Sequence, residues 1–127
     1  MARPTYAQQR ARLKQRFAAV PQAVTLALQP VLEKCAAELI ELARQLAPEA
    51  SGDLKASIHA EPGDHALAIR IVAGDEDAFY ARWVEFGTAD TPSHAFLFPA
   101  FRLLKARFER RINRAVKKAV ADAWAKP

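Results

Sequence analysis

Ile58-His59-Ala60-Glu61-Pro62-Gly63-Asp64-His65-Ala66-Leu67-Ala68-Ile69-Arg70-Ile71-Val72 is the stretch that decides how this chain folds. Leu67, Ile69 and Ile71 alternate with Ala68, Arg70 and Val72, the two-residue period of a strand that buries one face. Ile58 to Glu61 reads as a preceding strand, and Pro62-Gly63-Asp64 is a turn signal between the two. The pair predicts an antiparallel hairpin, closed by Ala73-Gly74-Asp75-Glu76-Asp77. A lone hairpin is marginal in water and needs other elements over one face.

The flanks supply that cover. Upstream, Val24, Leu28, Val31, Leu32, Cys35, Leu39, Leu42 and Leu46 recur every three or four residues, with Glu33, Lys34, Glu38, Glu41 and Arg44 opposite. This is the strongest helical pattern in the chain. Pro30 lies inside it, predicting either a kink or a first-turn proline with a separate helical piece before it. Pro48 ends it, and Ser51 or Asp53 is placed to cap a short turn over Leu54 to Ser57. Downstream, Phe79 to Thr88 fits one or two helical turns, the preferred reading, and also tolerates a strand; residues 89–95 read as a polar loop. Leu97 to Trp124 predicts a second long helix, with Pro99 in its first turn and a stripe of Phe101, Leu104, Phe108, Ile112, Ala115, Ala119 and Trp124. The fold class is therefore α+β: a small antiparallel sheet packed against two long amphipathic helices. Thr5 to Val20 reads as a polar helix or arm that Pro21 interrupts. The expected organisation is a basic N-terminal arm or helix over residues 1–21 and one α+β domain over residues 22–127.

The chain has 127 residues and a net charge of +5. The positive excess sits at the two ends. Residues 1–20 carry Arg3, Arg10, Arg12, Lys14 and Arg16 and no acid. In residues 102–118, eight basic side chains face Glu109 alone. Arg107, Arg110, Arg111, Arg114 and Lys118 lie largely off the apolar stripe, as a solvated face does, and are the candidate contacts to DNA or to an acidic partner. No helix-turn-helix, zinc finger or aromatic-studded sheet accompanies them, so sequence readout is not expected.

Tests for chemistry fail one after another. One cysteine, Cys35, on an apolar stripe, forms no internal disulfide and makes no zinc knuckle. His59, His65 and His94 form no close pair with a carboxylate on one helix, and His59 and His65 read as surface groups of the strand and turn. Ser51, Ser57 and Ser93 sit outside any nucleophile elbow. Glu85 and Asp90 have no setting that drives two pKa values apart. Four glycines form no phosphate cradle. The expectation is no enzyme, no metal and no cofactor. The basic N-terminus lacks the apolar run of a signal peptide, and no stretch reaches the roughly 18 apolar residues of a membrane span. The expected compartment is the cytosol, or something assembled there.

Three blocks taken in order carry a resemblance. They are Ala47-Pro48-Glu49-Ala50-Ser51-Gly52-Asp53-Leu54-Lys55-Ala56-Ser57-Ile58, then Tyr80-Ala81-Arg82-Trp83-Val84-Glu85-Phe86-Gly87-Thr88, then Phe96-Leu97-Phe98-Pro99-Ala100-Phe101. The chain resembles, over roughly residues 22–124, the tail-completion or head–tail joining proteins of long-tailed bacteriophages and prophages, the family named for the gene-ten product of a lambda-like coliphage. It departs from the pattern at His94-Ala95, where the family has proline just before the Phe-Leu pair. The resemblance implies a structural virion protein at the neck or upper tail, made in the bacterial cytoplasm and acting by ring assembly. Its implied partners are copies of itself, neighbouring neck and tail proteins, and DNA in the channel by non-specific contact. The interface residues it implies are Tyr80, Trp83, Glu85, Phe86, Gly87, Thr88, Phe96, Leu97 and Pro99. Gly87 would permit a sharp backbone turn, and Glu85 would fix that turn or reach across subunits. Phe79, Phe98 and Phe101 complete an aromatic cluster that serves either core or interface. Two other readings stay open: a tail terminator or minor tail protein, and a basic protein that binds DNA without sequence preference.

Overall fold

α1 (Tyr6–Leu46) and α4 (Leu97–Ala125) are antiparallel neighbours, since Glu38 of α1 meets Arg111 of α4 while Phe17 meets Trp124. The computed structural model describes residues 3–48, 52–74, 81–86 and 95–125, the side chains of residues 82–84 excepted. Between the long helices come α2 (Gly52–Ser57), β1 (His59–Pro62), β2 (Ile69–Val72) and α3 (Ala81–Phe86). The α+β class holds, as do the hairpin, the short helix at 81–86 and Pro99 in the first turn of α4.

α1 departs from expectation. Its 41 residues, about 60 Å at 1.5 Å per residue, run unbroken through both Pro21 and Pro30. The expected break at Pro21 is therefore absent, and Pro30 does not open a separate helix. Each proline removes one backbone donor and costs about 3 kcal/mol in a helix interior. Both are solvent-exposed, so the carbonyls they orphan, on Phe17 and Leu26, lie where water can reach them. Packing on both sides of Pro21 offsets the cost: Phe17 rests on Trp124, and Leu28 is buried. The helix starts in a capping box. Thr5 Oγ1 accepts from the Gln8 amide at 3.2 Å, and Gln8 Oε1 accepts from the Thr5 amide at 2.9 Å. It stops because Pro48 follows Ala47, whose extended backbone is what a residue before proline prefers.

The hairpin pairs His59 with Val72, Ala60 with Ile71, Glu61 with Arg70 and Pro62 with Ile69. Gly63 is required at its turn, because a Cβ there would sit 2.5 Å from the Ala68 Cβ and 2.7 Å from its carbonyl. Ser57 ties the hairpin to α2: its hydroxyl donates to the Leu54 carbonyl at 2.6 Å and accepts from the Gly74 amide at 2.9 Å. Arg44 of α1 closes the other side, donating to the carbonyls of Lys55 and Ile58 at the end of α2. Asp53, expected as a cap, lies inside the first turn of α2.

One cluster forms the core. Cys35, Leu39, Ala43 and Ala47 of α1 and its end meet Leu54, Ile58, Ala81 and Phe96, together with Ala100, Leu104 and Phe108 of α4. Ile71 packs against it from β2. All of this lies at one end of the α1–α4 pair. Residues 6–27 of α1 and 112–125 of α4 extend away as a two-helix arm.

Candidate assembly surface

The joint between α3 and α4 is built around one carboxylate. A helix begins with backbone amides that have no partner inside it. At the start of α4, Glu85 accepts from all three such amides. Its Oε2 takes the N–H groups of Phe96 at 2.8 Å and Leu97 at 2.9 Å, and its Oε1 takes that of Phe98 at 3.0 Å. The next residue, Pro99, has no N–H to satisfy, and the Ala100 amide already donates to the Phe96 carbonyl. The accounting is complete with one side chain. A negative charge at a helix N-terminus also faces the positive end of the helix dipole. Glu85 is only 7% exposed, and its role is within the chain: it fixes how α3 meets α4.

That joint sorts the neighbouring rings. Phe96 is 1% exposed and belongs to the core, so its sequence-based placement at an interface is corrected: the residue before α4 points inward beneath the capped turn. Phe86, next in sequence to the buried glutamate, is 67% exposed. It meets Phe98, itself 50% exposed, with ring centroids 5.7 Å apart and planes tilted by 50°. Phe101, one turn on, is also exposed, although helical periodicity placed it on the buried stripe. Leu97 and Pro99 are half-buried, Leu97 against the core. Tyr80, Gly87 and Thr88, and the side chain of Trp83, lie outside the described residues, as does Phe79.

The basic group divides in two. Arg107, Arg110, Arg114 and Lys118 are exposed and, at spacings of three and four, share one side of α4. Lys118 also has Asp122 at 3.6 Å. Arg111 is different. It forks onto both oxygens of Glu38, at 2.9 and 3.1 Å, and reaches the Cys35 sulfur at 3.5 Å. Its hydrogen bond holds the Glu38 carboxyl below the usual glutamate range, and Glu38 in turn raises the Arg111 guanidinium. Arg111 clamps α1 to α4 and is not available to a polyanion.

The described candidates for chemistry have structural partners. The His59 ring, part-buried at the surface, has Nδ1 2.6 Å from the Ser57 carbonyl and Nε2 2.9 Å from Glu61 Oε1. That contact pulls the Glu61 carboxyl down, with Arg70 adding to it. His65 Nδ1 accepts from the Leu67 amide inside the hairpin turn. Cys35 is buried in the core. His94, Ser51, Ser93 and Asp90 lie outside the described residues. Among the described residues there is no group of three or more His, Cys, Asp or Glu side chains placed to hold a metal, and no helix is long and apolar enough to cross a membrane.

The family model described as "Bacteriophage HK97-gp10, putative tail-component" matches residues 11–87. The chain belongs to this HK97-gp10-like family of bacteriophage tail components. The match covers more than half of the chain. It starts within α1, ahead of Pro21, and ends at Gly87, so it contains Glu85 but not the three amides that Glu85 caps. The family resemblance read from the sequence is thus shown, and with it a role as a phage tail component. Comparison with curated proteins and with solved structures found no match.

Proposed function

We propose that this HK97-gp10-like protein is a head–tail joining, or tail-completion, component that assembles as a ring at the neck or upper tail. The observation that carries the reading is the exposed Phe86–Phe98 pair, with Phe101 beside it, mounted on a joint that the buried Glu85 carboxylate makes rigid. Exposed aromatic rings on a fixed backbone are what a protein–protein anchor needs, because little side-chain freedom is left to lose on association. Among the described residues the sheet has two strands, so each has an unpaired outer edge that a neighbouring subunit can extend. Ring closure would bury the phenylalanines and pair those edges. Trp83, Tyr80, Gly87 and Thr88 belong to the same proposed contact by their place in the sequence.

The exposed row of Arg107, Arg110, Arg114 and Lys118 supports non-specific contact with DNA passing through such a ring. The test is assembly in a phage whose only copy of the gene carries Phe86→Ser and Phe98→Ser. Filled heads and finished tails should accumulate unjoined. A tail terminator would instead give tails of uncontrolled length, which distinguishes that alternative.

A further inference from the structure

The arm carries a second surface, on the opposite end of the molecule from the phenylalanine pair. Tyr6, Leu13, Phe17, Val20, Val24 and Leu28 fall on one stripe of α1. From Leu28 back to Phe17 this stripe faces α4, ending where Phe17 meets Trp124 edge to face at 5.1 Å. Before Phe17 α1 extends past the described part of α4. There the same stripe is open: Tyr6 is 79% exposed, Leu13 45% and Phe17 63%. The extension is nonetheless a formed helix, held at its start by the Thr5–Gln8 capping box. An isolated stretch of about three turns is marginal in water, so the cap pre-forms a surface that little else supports.

The flanks of the open stripe have one sign. Arg10 and Lys14 lie along one side of it and Arg12 and Arg16 along the other, with Arg16 5.5 Å from the centre of the Trp124 ring. No Asp or Glu occurs from Arg3 to Leu32. A second copy laid along the strip, parallel or antiparallel, would bring Arg10 and Lys14 against basic residues of its own kind. Duplex DNA would meet the arginines but leave the apolar stripe without a use. The geometry points to an acidic amphipathic helix of another protein as the occupant: apolar residues continuing the packing line of α4, and carboxylates on both flanks. This surface shares no residue with the proposed ring contact, so the two stand or fall separately.

The test uses the full chain and a labelled three-heptad peptide with leucine at a and d and glutamate at e and g. Its control carries lysine in place of glutamate, and a labelled short DNA duplex is the third probe. Fluorescence anisotropy should show saturable binding of the glutamate peptide, with the lysine peptide weaker by roughly tenfold or more. Tyr6→Ala/Leu13→Ala should weaken the glutamate peptide by roughly tenfold and leave the thermal midpoint unchanged, since both side chains are exposed. Arg107→Ala/Arg110→Ala, on α4, should leave that affinity intact. No binding of the glutamate peptide, equal binding of the lysine peptide, or full affinity in Tyr6→Ala/Leu13→Ala overturns the proposal. So does self-association of the wild type that Tyr6→Ala/Leu13→Ala abolishes, or DNA binding that this variant loses.

Discussion

At one end of the molecule Phe96, Leu54 and Ile58 lie beneath α1, α4 and the short elements between them, almost wholly out of water. At the other end, among the described residues, α1 and α4 face one another and nothing else, and the buried side chains of that arm are Ala119 and Ala123, with Leu28 buried where it joins the body. The same two helices run through both regions. The difference is how many directions of cover each receives. A helix has an apolar stripe wide enough to need more than one neighbour. The body provides these through α2, the hairpin and α3; the arm does not. The body therefore carries the stability, and the arm, with its open stripe, is suited to contact with another chain.

The largest break in this comparison should come at Phe96. Phe96→Ala is expected to cost about 3–5 kcal/mol in urea unfolding, whereas Phe98→Ala, two residues on, should cost under about 1 kcal/mol. Equal effects would mean that the joint does not sort its rings as described. Glu85→Ala comes next. It leaves three amides without their acceptor, one buried and two part-buried; at about 1–3 kcal/mol for the buried one and less for the two that water can reach, a total loss of about 2–4 kcal/mol is expected. Glu85→Gln keeps part of the acceptor capacity and should lose about half as much.

A smaller effect belongs to the Glu38–Arg111 clamp, where the body passes into the arm. The folded Glu38 carboxyl titrates below its ordinary value of 4.5, so its contribution is complete above that value and is lost as pH falls through the folded pKa. Stability should therefore decline on acidification below about pH 4.5, with Glu61 contributing in the same direction. Glu38→Gln should flatten that decline and cost about 1 kcal/mol at neutral pH, because the pair is only partly buried. The finest discrimination is by hydrogen exchange. Amides of residues 8–20 should exchange faster than those of residues 35–46 in the same helix.

Much of the body was legible in the sequence because its signals are local. Alternation at Leu67, Ile69 and Ile71 and the three-to-four spacing from Leu28 to Leu39 each report a nearby buried face. Local propensity alone makes Pro21 a break; the packing of Phe17 on Trp124, more than a hundred residues away, overrides it. Glu85 stood out as a residue, but its partners did not. They are backbone amides 11 to 13 positions later, and no side-chain pattern announces them. For the same reason Phe96 and Phe98 looked alike, although the capped turn sends one inward and the other out. Arg111 is indistinguishable in sequence from the exposed arginines of α4, because Glu38 lies 73 positions earlier.

The most direct test is to supply the Phe86→Ser/Phe98→Ser protein as the sole copy during phage assembly and count joined particles by electron microscopy. The purified variant should unfold within about 1 kcal/mol of wild type, since both rings are exposed. Full heads and complete tails should remain separate. Normal numbers of joined, infectious particles would contradict it.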